Sequence, residues 1–498
     1  MCSGLVLSGP EAASCLGRSR IVARMSIPAR LLLAAALLAG AGCAGRDASR
    51  APNVLFLLAD DLAAHALGSY GNDQARTPSI DALAARGVRF TRAYAQFPAC
   101  GPSRVALMTG LYPETLGITS NPGALRLAPA LGERPTLPGL FRHNGWHTAR
   151  VSKIFHMEVP HHIRSGAHGA DHEGSWSERH SIRAPEWKTA GERVAMLPWG
   201  RKATRDVYYA NVFSMVRASG NGSNQVDALA ADTAIDILDQ RADQRFFLAV
   251  GLVRPHLPFV APARFFDDHP AEGIHLPERV EADWEDIPAI GIPLHSEGTG
   301  LTSDDRKRQT IAAYHASVSF MDAQVGRILA ALDERGLRDD TLIVFTSDHG
   351  YHLGEHDFWG KGSLREESTR VPLIIAGPGI AASQTDALAQ LVDVFPTLVE
   401  LAGLEAPPHL QGRSLVPVLR DPAARVNEEI HAMVPRGDLL RGERWAYISW
   451  RDGTAELFDM QNDPRQFTNL AQRSESGDVL ARMRRRLDRM LAEIAPAS

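Results

Sequence analysis

The chain reads as an α/β protein: a large, mixed, mostly parallel sheet covered by helices, followed by a small C-terminal α+β subdomain with an antiparallel sheet. Three observations predict this. Continuous apolar runs of strand length recur at 53–59, 246–252 and 341–346, the pattern of strands buried on both faces. Helical periodicity fills much of the interval between them, as in sheets built with crossover helices. Near the end, two strand-like segments flank Arg451-Asp452-Gly453-Thr454, a hairpin centred on Asp-Gly.

The totals set the frame. At 498 residues, with 44% hydrophobic and 22% charged residues, the chain can hold one large core and a smaller domain. A net charge of −5 gives no broad basic field, so no nucleic-acid partner is expected. Only five lysines occur, Lys153, Lys188, Lys202, Lys307 and Lys361. Each matters more for that, since an ammonium does not replace a guanidinium.

The division expected is a leader at 1–43, a polar tether at 44–52, a large domain at 53–425 and the subdomain at 426–498. Residues 31–39 are an apolar run after Arg30, too short for a bilayer span and of signal-peptide type. Met25 opens a more natural leader than Met1. Cleavage before Cys43, after Gly40-Ala41-Gly42, makes Cys43 a lipidation acceptor and the protein a lipoprotein. The alternative cut after Ala41 gives a soluble exported protein. Either way the setting is outside a bacterial cytoplasm, periplasmic, on the outer membrane or secreted, and any membrane contact is through that anchor.

The elements follow in order. The run at 53–59 is a central strand ending in Asp60-Asp61, and ligands of such sheets bind beyond the carboxyl ends of strands. Thr77-Pro78 starts a helix that Gly87 ends. A strand at 88–94 leads to Cys100-Gly101-Pro102-Ser103-Arg104. Pro102 suits a first helical turn and Gly110 its end, so Cys100 falls at a helix N-terminus, where an anion is favoured. With the leader discounted, Cys100 has no internal disulfide partner. A helix at 137–144 and a strand at 146–151 precede Lys153 and His156. Residues 157–200 lack periodicity, and His161, His162, His168, His172 and His180 read as solvated, without zinc-ligand spacing. A helix at 227–241 and a strand at 246–252 lead to Arg254-Pro255-His256-Leu257-Pro258, whose prolines stiffen the turn that carries His256. A long helix at 311–337 precedes the strand at 341–346, which ends in Ser347-Asp348-His349-Gly350 and repeats the Asp60-Asp61 pattern. Lys361 follows in a loop, then a strand at 371–376, a helix at 391–404 and the tail, which closes with an amphipathic helix at 479–494.

Five places therefore point to one face: Asp60 and Asp61, Cys100 with Arg104, Lys153 with His156, His256, and Asp348 and His349 with Lys361. Three carboxylates suit a hard divalent cation, and the basic side chains suit a compact oxyanion. Cation, bases and nucleophile together describe a sulfate- or phosphate-ester hydrolase.

The stretch 100–104 resembles the signature of type I sulfatases, Cys-x-Pro-Ser-Arg. The resemblance runs from Asn53 to about Ala471 and includes residues 77–81, 346–350, 456–460 and 469–470. Within that family the chain is similar to the iduronate 2-sulfatase branch, on Lys153-Ile154-Phe155-His156, residues 247–251 and 254–259, and Gly354-Glu355-His356 running to Lys361. It implies an alkaline-phosphatase-like sandwich and a sulfuric ester hydrolase in which a maturase oxidises Cys100 to Cα-formylglycine. It further implies calcium, with magnesium as the alternative, on Asp60, Asp61, Asp348 and His349, joined by residue 100. The hydrated aldehyde attacks sulfur. His256 protonates the leaving alcohol with Lys361 nearby, His156 is the base that releases sulfate, and Arg104 and Lys153 hold oxygens. A sulfated carbohydrate is the substrate implied, with 2-sulfated uronates first. Tyr351, His352 and Trp359 are expected at the substrate rim with the loops 157–200 and 260–300. Two other readings share the residues: a phosphoester or phosphonate hydrolase of the same superfamily, and a catalytically silent glycan-binding relative.

Overall fold

Strand β1 (Asn53–Asp60) is fully buried from end to end and sits near the middle of an eight-stranded sheet. The computed structural model describes residues 51–196 and 213–494. The leader, Cys43, the tether up to Arg50 and Lys202 lie outside the described residues. After β1 come β2 (Val88–Tyr94), β3 (His147–Ser152), β4 (Glu178–His180), β5 (Gly191–Ala195), β6 (Ser214–Ala218), β7 (Phe246–Pro255), β8 (Phe259–Pro262) and β9 (Thr341–Ser347). A short ribbon, β10 (His352–Leu353) and β11 (Trp359–Gly360), precedes β12 (Arg370–Ala376) and β13 (Ser383–Gln390). The tail contributes β14 (Glu429–Val434), β15 (Gly437–Gly442), β16 (Trp445–Trp450) and β17 (Ala455–Asp459).

The main sheet runs β13-β2-β12-β9-β1-β7-β3-β4. It is parallel except around β12, which is antiparallel to both β2 and β9. β1 is parallel to β7 on one side and β9 on the other, so its carboxyl end lies beside theirs. The alternating side chains of β1 divide the core. Leu55, Leu57 and Ala59 pack with the helices Pro78–Ala84, Val226–Arg241 and Asp304–Glu334. Val54, Phe56 and Leu58 pack with Cys100–Thr109, Leu137–His143 and Val394–Leu401. Helices on both faces explain why β1, β7 and β9 are buried along their whole length and apolar in their middles.

Within the main sheet two strands lie where none was expected. β4 forms within the irregular stretch and pairs with β3, and β13 forms an edge of the sheet against β2. The long helix also starts earlier, at Asp304, because Ser303 Oγ caps it by accepting from Arg306 N at 3.4 Å. The tail forms a four-stranded antiparallel sheet, β14-β15-β16-β17, with the predicted hairpin between β16 and β17. One face of this sheet receives the helix Gly477–Ile494 through Met483 and Leu487. Among the described residues no helix is long and apolar enough to cross a membrane.

Candidate active site

The site is built at the carboxyl ends of β1, β7 and β9, with the helix Cys100–Thr109 delivering its N-terminus to them. Asp61 leaves β1 with φ of +65°, a left-handed turn that costs a non-glycine residue energy unless its surroundings hold it. Here they do. The Asp61 N–H donates to Asp348 Oδ1 at 3.1 Å, and Tyr314 OH donates to the Asp61 carbonyl at 2.7 Å while accepting from Ala63 N at 2.9 Å. Leu62 N donates to Ser347 Oγ at 2.9 Å.

Arg104 is wholly buried one turn into the helix Cys100–Thr109. It donates to Asp348 Oδ2 at 2.8 Å and Asp60 Oδ1 at 3.1 Å, and to the carbonyls of Lys153 and Ile154. It therefore ties three loops together and holds the carboxylates, rather than projecting toward the sulfur of Cys100. Lys153 donates to Asp60 Oδ2 at 2.5 Å. Its backbone lies under β7, where Gly251 leaves room: a Cβ there would stand 2.1 Å from the Lys153 carbonyl oxygen. Ser103 Oγ donates to the Asp348 carbonyl.

Cys100 is 1% exposed. Lys361 donates to its sulfur at 3.0 Å and to Asp61 Oδ1 at 2.6 Å. His349 Nε2 lies 3.5 Å from the sulfur and 3.2 Å from Asp61 Oδ1, and His256 Nε2 lies 3.9 Å from Asp61 Oδ2. The Nδ1 atoms of His256 and His349 face the carbonyls of Leu257 at 2.7 Å and Gly350 at 2.9 Å, which assigns them as donors there and aims both Nε2 atoms at the site. His156 contacts the sulfur as well.

The electrostatics follow from this crowding. Burial pushes the Cys100 thiol up, but Lys153 and Lys361 overcome it and hold it well below its ordinary value. Burial opposes a charged Asp60 too, yet Lys153 and Arg104 keep it below the usual carboxylate range. Asp348 goes the other way, pushed up to about 7 by burial against the opposing Arg104. Burial would depress His349, but Asp348 raises it to about 9. Burial, with Lys153 adding to it, lowers His156 and keeps it neutral.

The donor set fits a hard cation. Ligand atoms of Asp60, Asp61, Cys100 and His256 lie within 4.8 Å of one another, as do those of Cys100, Asp348 and His349. Three carboxylates, two at the carboxyl end of β1 and one just beyond β9, give the oxygen-rich charge that calcium or magnesium requires. Every residue placed on the ligand face from sequence is brought to this centre.

The expected rim is not a rim. Tyr351, His352 and Trp359 are 2%, 1% and 1% exposed. The β10–β11 ribbon turns Tyr351 and Trp359 into the core, where Tyr351 stacks on Tyr314 at 5.4 Å and Trp359 Nε1 donates to Ser296 Oγ at 3.0 Å. Burial holds His352 neutral, down to about 3. These side chains support the site from beneath. No role was assigned from sequence to Tyr314, Ser347, Ser103 or Gly251, although the last three fall in segments singled out there. Only Gly251, a glycine inside an apolar strand, carried a local signal of close backbone approach.

The chain resembles known proteins over most of its length. A family profile described as Sulfatase matches residues 52–404, and one described as N-sulphoglucosamine sulphohydrolase, C-terminal, matches residues 354–493. A sulfatase of Formosa agariphila is 33% identical over 435 residues, 84% of this chain and 83% of that one. The iduronate 2-sulfatase of Mus musculus is 34% identical over 409 residues, 73% of this chain and 71% of that one. Among solved structures, a phosphonate monoester hydrolase of Agrobacterium radiobacter matches with a TM-score of 0.72 at 25% identity, covering 89% of this chain and 96% of that one. A 2-O GAG sulfatase matches with a TM-score of 0.65 at 26% identity, covering 89% and 93%.

Proposed function

The chain belongs to the sulfatase family, whose members hydrolyse sulfate esters, and from that premise we propose that it removes O-sulfate from a sulfated sugar. A 2-O-sulfated uronate of a glycosaminoglycan-like or algal polysaccharide is the substrate put first. The observation that carries this is the convergence on one thiol: Lys361, His349 and Asp61 surround Cys100 at the start of its helix. The likeness to iduronate 2-sulfatase supports the choice of sugar. The compact ammonium groups of Lys153 and Lys361 suit a singly substituted anion better than a diester.

In this proposal Cys100 is matured to formylglycine, which supplies a hydrated aldehyde as the nucleophile toward sulfur, and a cation on Asp60, Asp61, Asp348 and His349 supplies charge that makes its hydroxyl acidic. The remaining work falls to the chain's own side chains. Lys361, at 3.0 Å from the Cys100 sulfur, holds residue 100 and a sulfate oxygen. Lys153 and Arg104 fix Asp60 and Asp348 so that the carboxylates do not move as charge develops. His256, with Nδ1 tied to Leu257, offers Nε2 to protonate the leaving alcohol. His156, kept neutral by burial, accepts the proton whose removal releases sulfate. Maturation requires a formylglycine-generating partner, and the proposed setting is outside the cytoplasm, as the leader indicates.

The test is the mass of the tryptic peptide containing Cys100, from protein made alongside a working maturase. Conversion of CH₂SH to CHO lowers it by about 18 mass units, and an aldehyde probe labels the same peptide. A thiol that persists while a control protein is converted excludes the mechanism. The matured enzyme is then offered 2-O-sulfated uronate, 6-O-sulfated glucosamine and a phosphonate monoester. Preference for the last establishes the phosphonate hydrolase reading, which the structural likeness to such an enzyme favours.

A further inference from the structure

In a chain of net charge −5, the last helix stands out. Gly477–Ile494 carries five arginines against three acids. Arg482, Arg485, Arg486 and Arg489 follow the spacing i, i+3, i+4, i+7 and so share one face, while Met483 and Leu487 face the tail sheet. Arg486 is neutralised by Glu428 Oε2 at 2.8 Å and Glu429 Oε1 at 2.7 Å. Arg482, Arg485 and Arg489 are exposed, and among the described residues none of them has a hydrogen bond or an ion pair. Like charges at this spacing repel, so the face is electrostatically incomplete on its own.

This face borders two adjoining clefts of 470 and 430 Å³ that share Asn427, Glu428, Glu429 and Arg486. Across the second cleft stand Arg92, Arg425, Arg444 and Trp445. Arg92 and Arg425 are paired with Asp386, and Arg444 with Asp459. Arg444 lies over the Trp445 ring at 4.8 Å. The acids lining the two clefts are Glu428, Glu429, Glu443 and Glu493, outnumbered by arginine.

We propose that this face is a non-catalytic binding site for a linear sulfated polysaccharide. It rests on the reading of the chain as a hydrolase of sulfated sugars. Guanidinium groups pair with sulfate oxygens through two parallel hydrogen bonds. The exposed arginines supply three forks along about two turns of helix, and the Arg444–Trp445 stack stands across the cleft from them. A second hold on a polymer raises its effective concentration at the catalytic centre, which a monosaccharide cannot exploit. An anionic membrane surface is the competing occupant. A concave cleft with an aromatic wall fits a chain better than a flat bilayer.

Binding of fluorescein-labelled heparin to the full-length protein, followed by polarisation across a salt series, tests this. The variants are R482Q/R485Q/R489Q and a control triple on other faces, R217Q/R327Q/R338Q. Among the described residues the three target arginines make no hydrogen bond or ion pair, so the thermal midpoint stays where it is. The target triple is expected to bind at least about tenfold more weakly, with the slope of log affinity against log salt reduced by about two to three. Its turnover of a sulfated monosaccharide stays unchanged while KM for the polymer rises. Three results overturn the proposal: unchanged heparin binding in the target triple, an equal loss in the control triple, or binding to phosphatidylglycerol vesicles that heparin does not displace. If wild-type protein turns over no sulfated monosaccharide, the sulfatase reading fails by itself, and the heparin comparison still decides the site.

Discussion

Replacing Gly251 by alanine isolates the placement of one lysine. Gly251 lies within β7 in register with Leu58 of β1 and Ser152 of β3. An added Cβ would stand 2.1 Å from the Lys153 oxygen, 2.3 Å from its carbonyl carbon and 2.6 Å from its nitrogen, all backbone atoms that cannot rotate away. Contacts of this kind do not fall below 3.0 Å, so the Lys153 backbone must retreat by about 1 Å, a misplacement that costs roughly 100-fold in rate when it reaches a reacting group. The retreat pulls the carbonyl from Arg104 and Nζ from Asp60. Overpacking costs about 1–3 kcal/mol, too little to unfold a core of this size. Steady-state kinetics on a sulfate ester and calorimetry on the same matured preparation separate the two effects. The control is Gly477→Ala, where a Cβ meets nothing within 4 Å and φ is already −54°; it leaves both measurements unchanged. A G251A enzyme that keeps kcat within about threefold of wild type refutes the account of Lys153.

Three further outcomes are expected. Lys361→Met removes the ammonium that touches both Asp61 and Cys100, and kcat falls by about 10²–10³; Lys361→Arg does not restore it, because a planar fork does not fit between those two atoms. Chelation lowers the thermal midpoint as well as activity, and added calcium restores both, since an ion bound only by the folded state at 100 times its Kd contributes about 2.7 kcal/mol; a midpoint indifferent to chelator contradicts the ligand set. Burial holds His315 neutral, down to about 3 from 6.5. A depressed histidine supports the fold above pH 6.5 and withdraws that support as pH falls toward 3. At pH 4.5 the loss is about 2.5 kcal/mol, at roughly 1.4 kcal/mol per unit. His315→Leu should therefore lose less of its urea midpoint than wild type between pH 7 and 4.5.

The parts of the site that were legible share one cause. Asp60, Asp61, Asp348 and His349 each follow an apolar run long enough to be a buried strand, and the end of such a run fixes where the next polar residue goes. Cys100 was legible because Pro102 and Gly110 bracket its helix, which spans Cys100–Thr109 with Gly110 left-handed at its end. Edge strands gave no such signal. β4 is half-exposed along its length, and β13 is polar for its first four residues, so their pairing is decided by the neighbour they meet rather than by their own sequence. The role of Tyr314 was hidden for a different reason: within a helix it reads as one more apolar-face residue, and only the distant turn at Asp61 gives its hydroxyl work. Tyr351 and Trp359 misled because aromatic residues near a site suit a rim and a core equally.

The order in which the chain is made bears on its chemistry. β1 is synthesised first, yet it pairs with strands that arrive much later: Asn53 meets Phe246 across 193 residues, and Asp61 meets Asp348 across 287. Until β7 emerges both edges of this buried strand stand open, and one stays open until β9 follows, which makes the nascent protein slow to close and vulnerable to association. The same interval is an opportunity. Cys100 is made early and is sealed to 1% exposure only when β9 and the Lys361 loop settle over it. In the proposed maturation, the enzyme that reaches this thiol works on a clock set by topology. Variants that speed closure of the sheet would emerge well folded but incompletely converted.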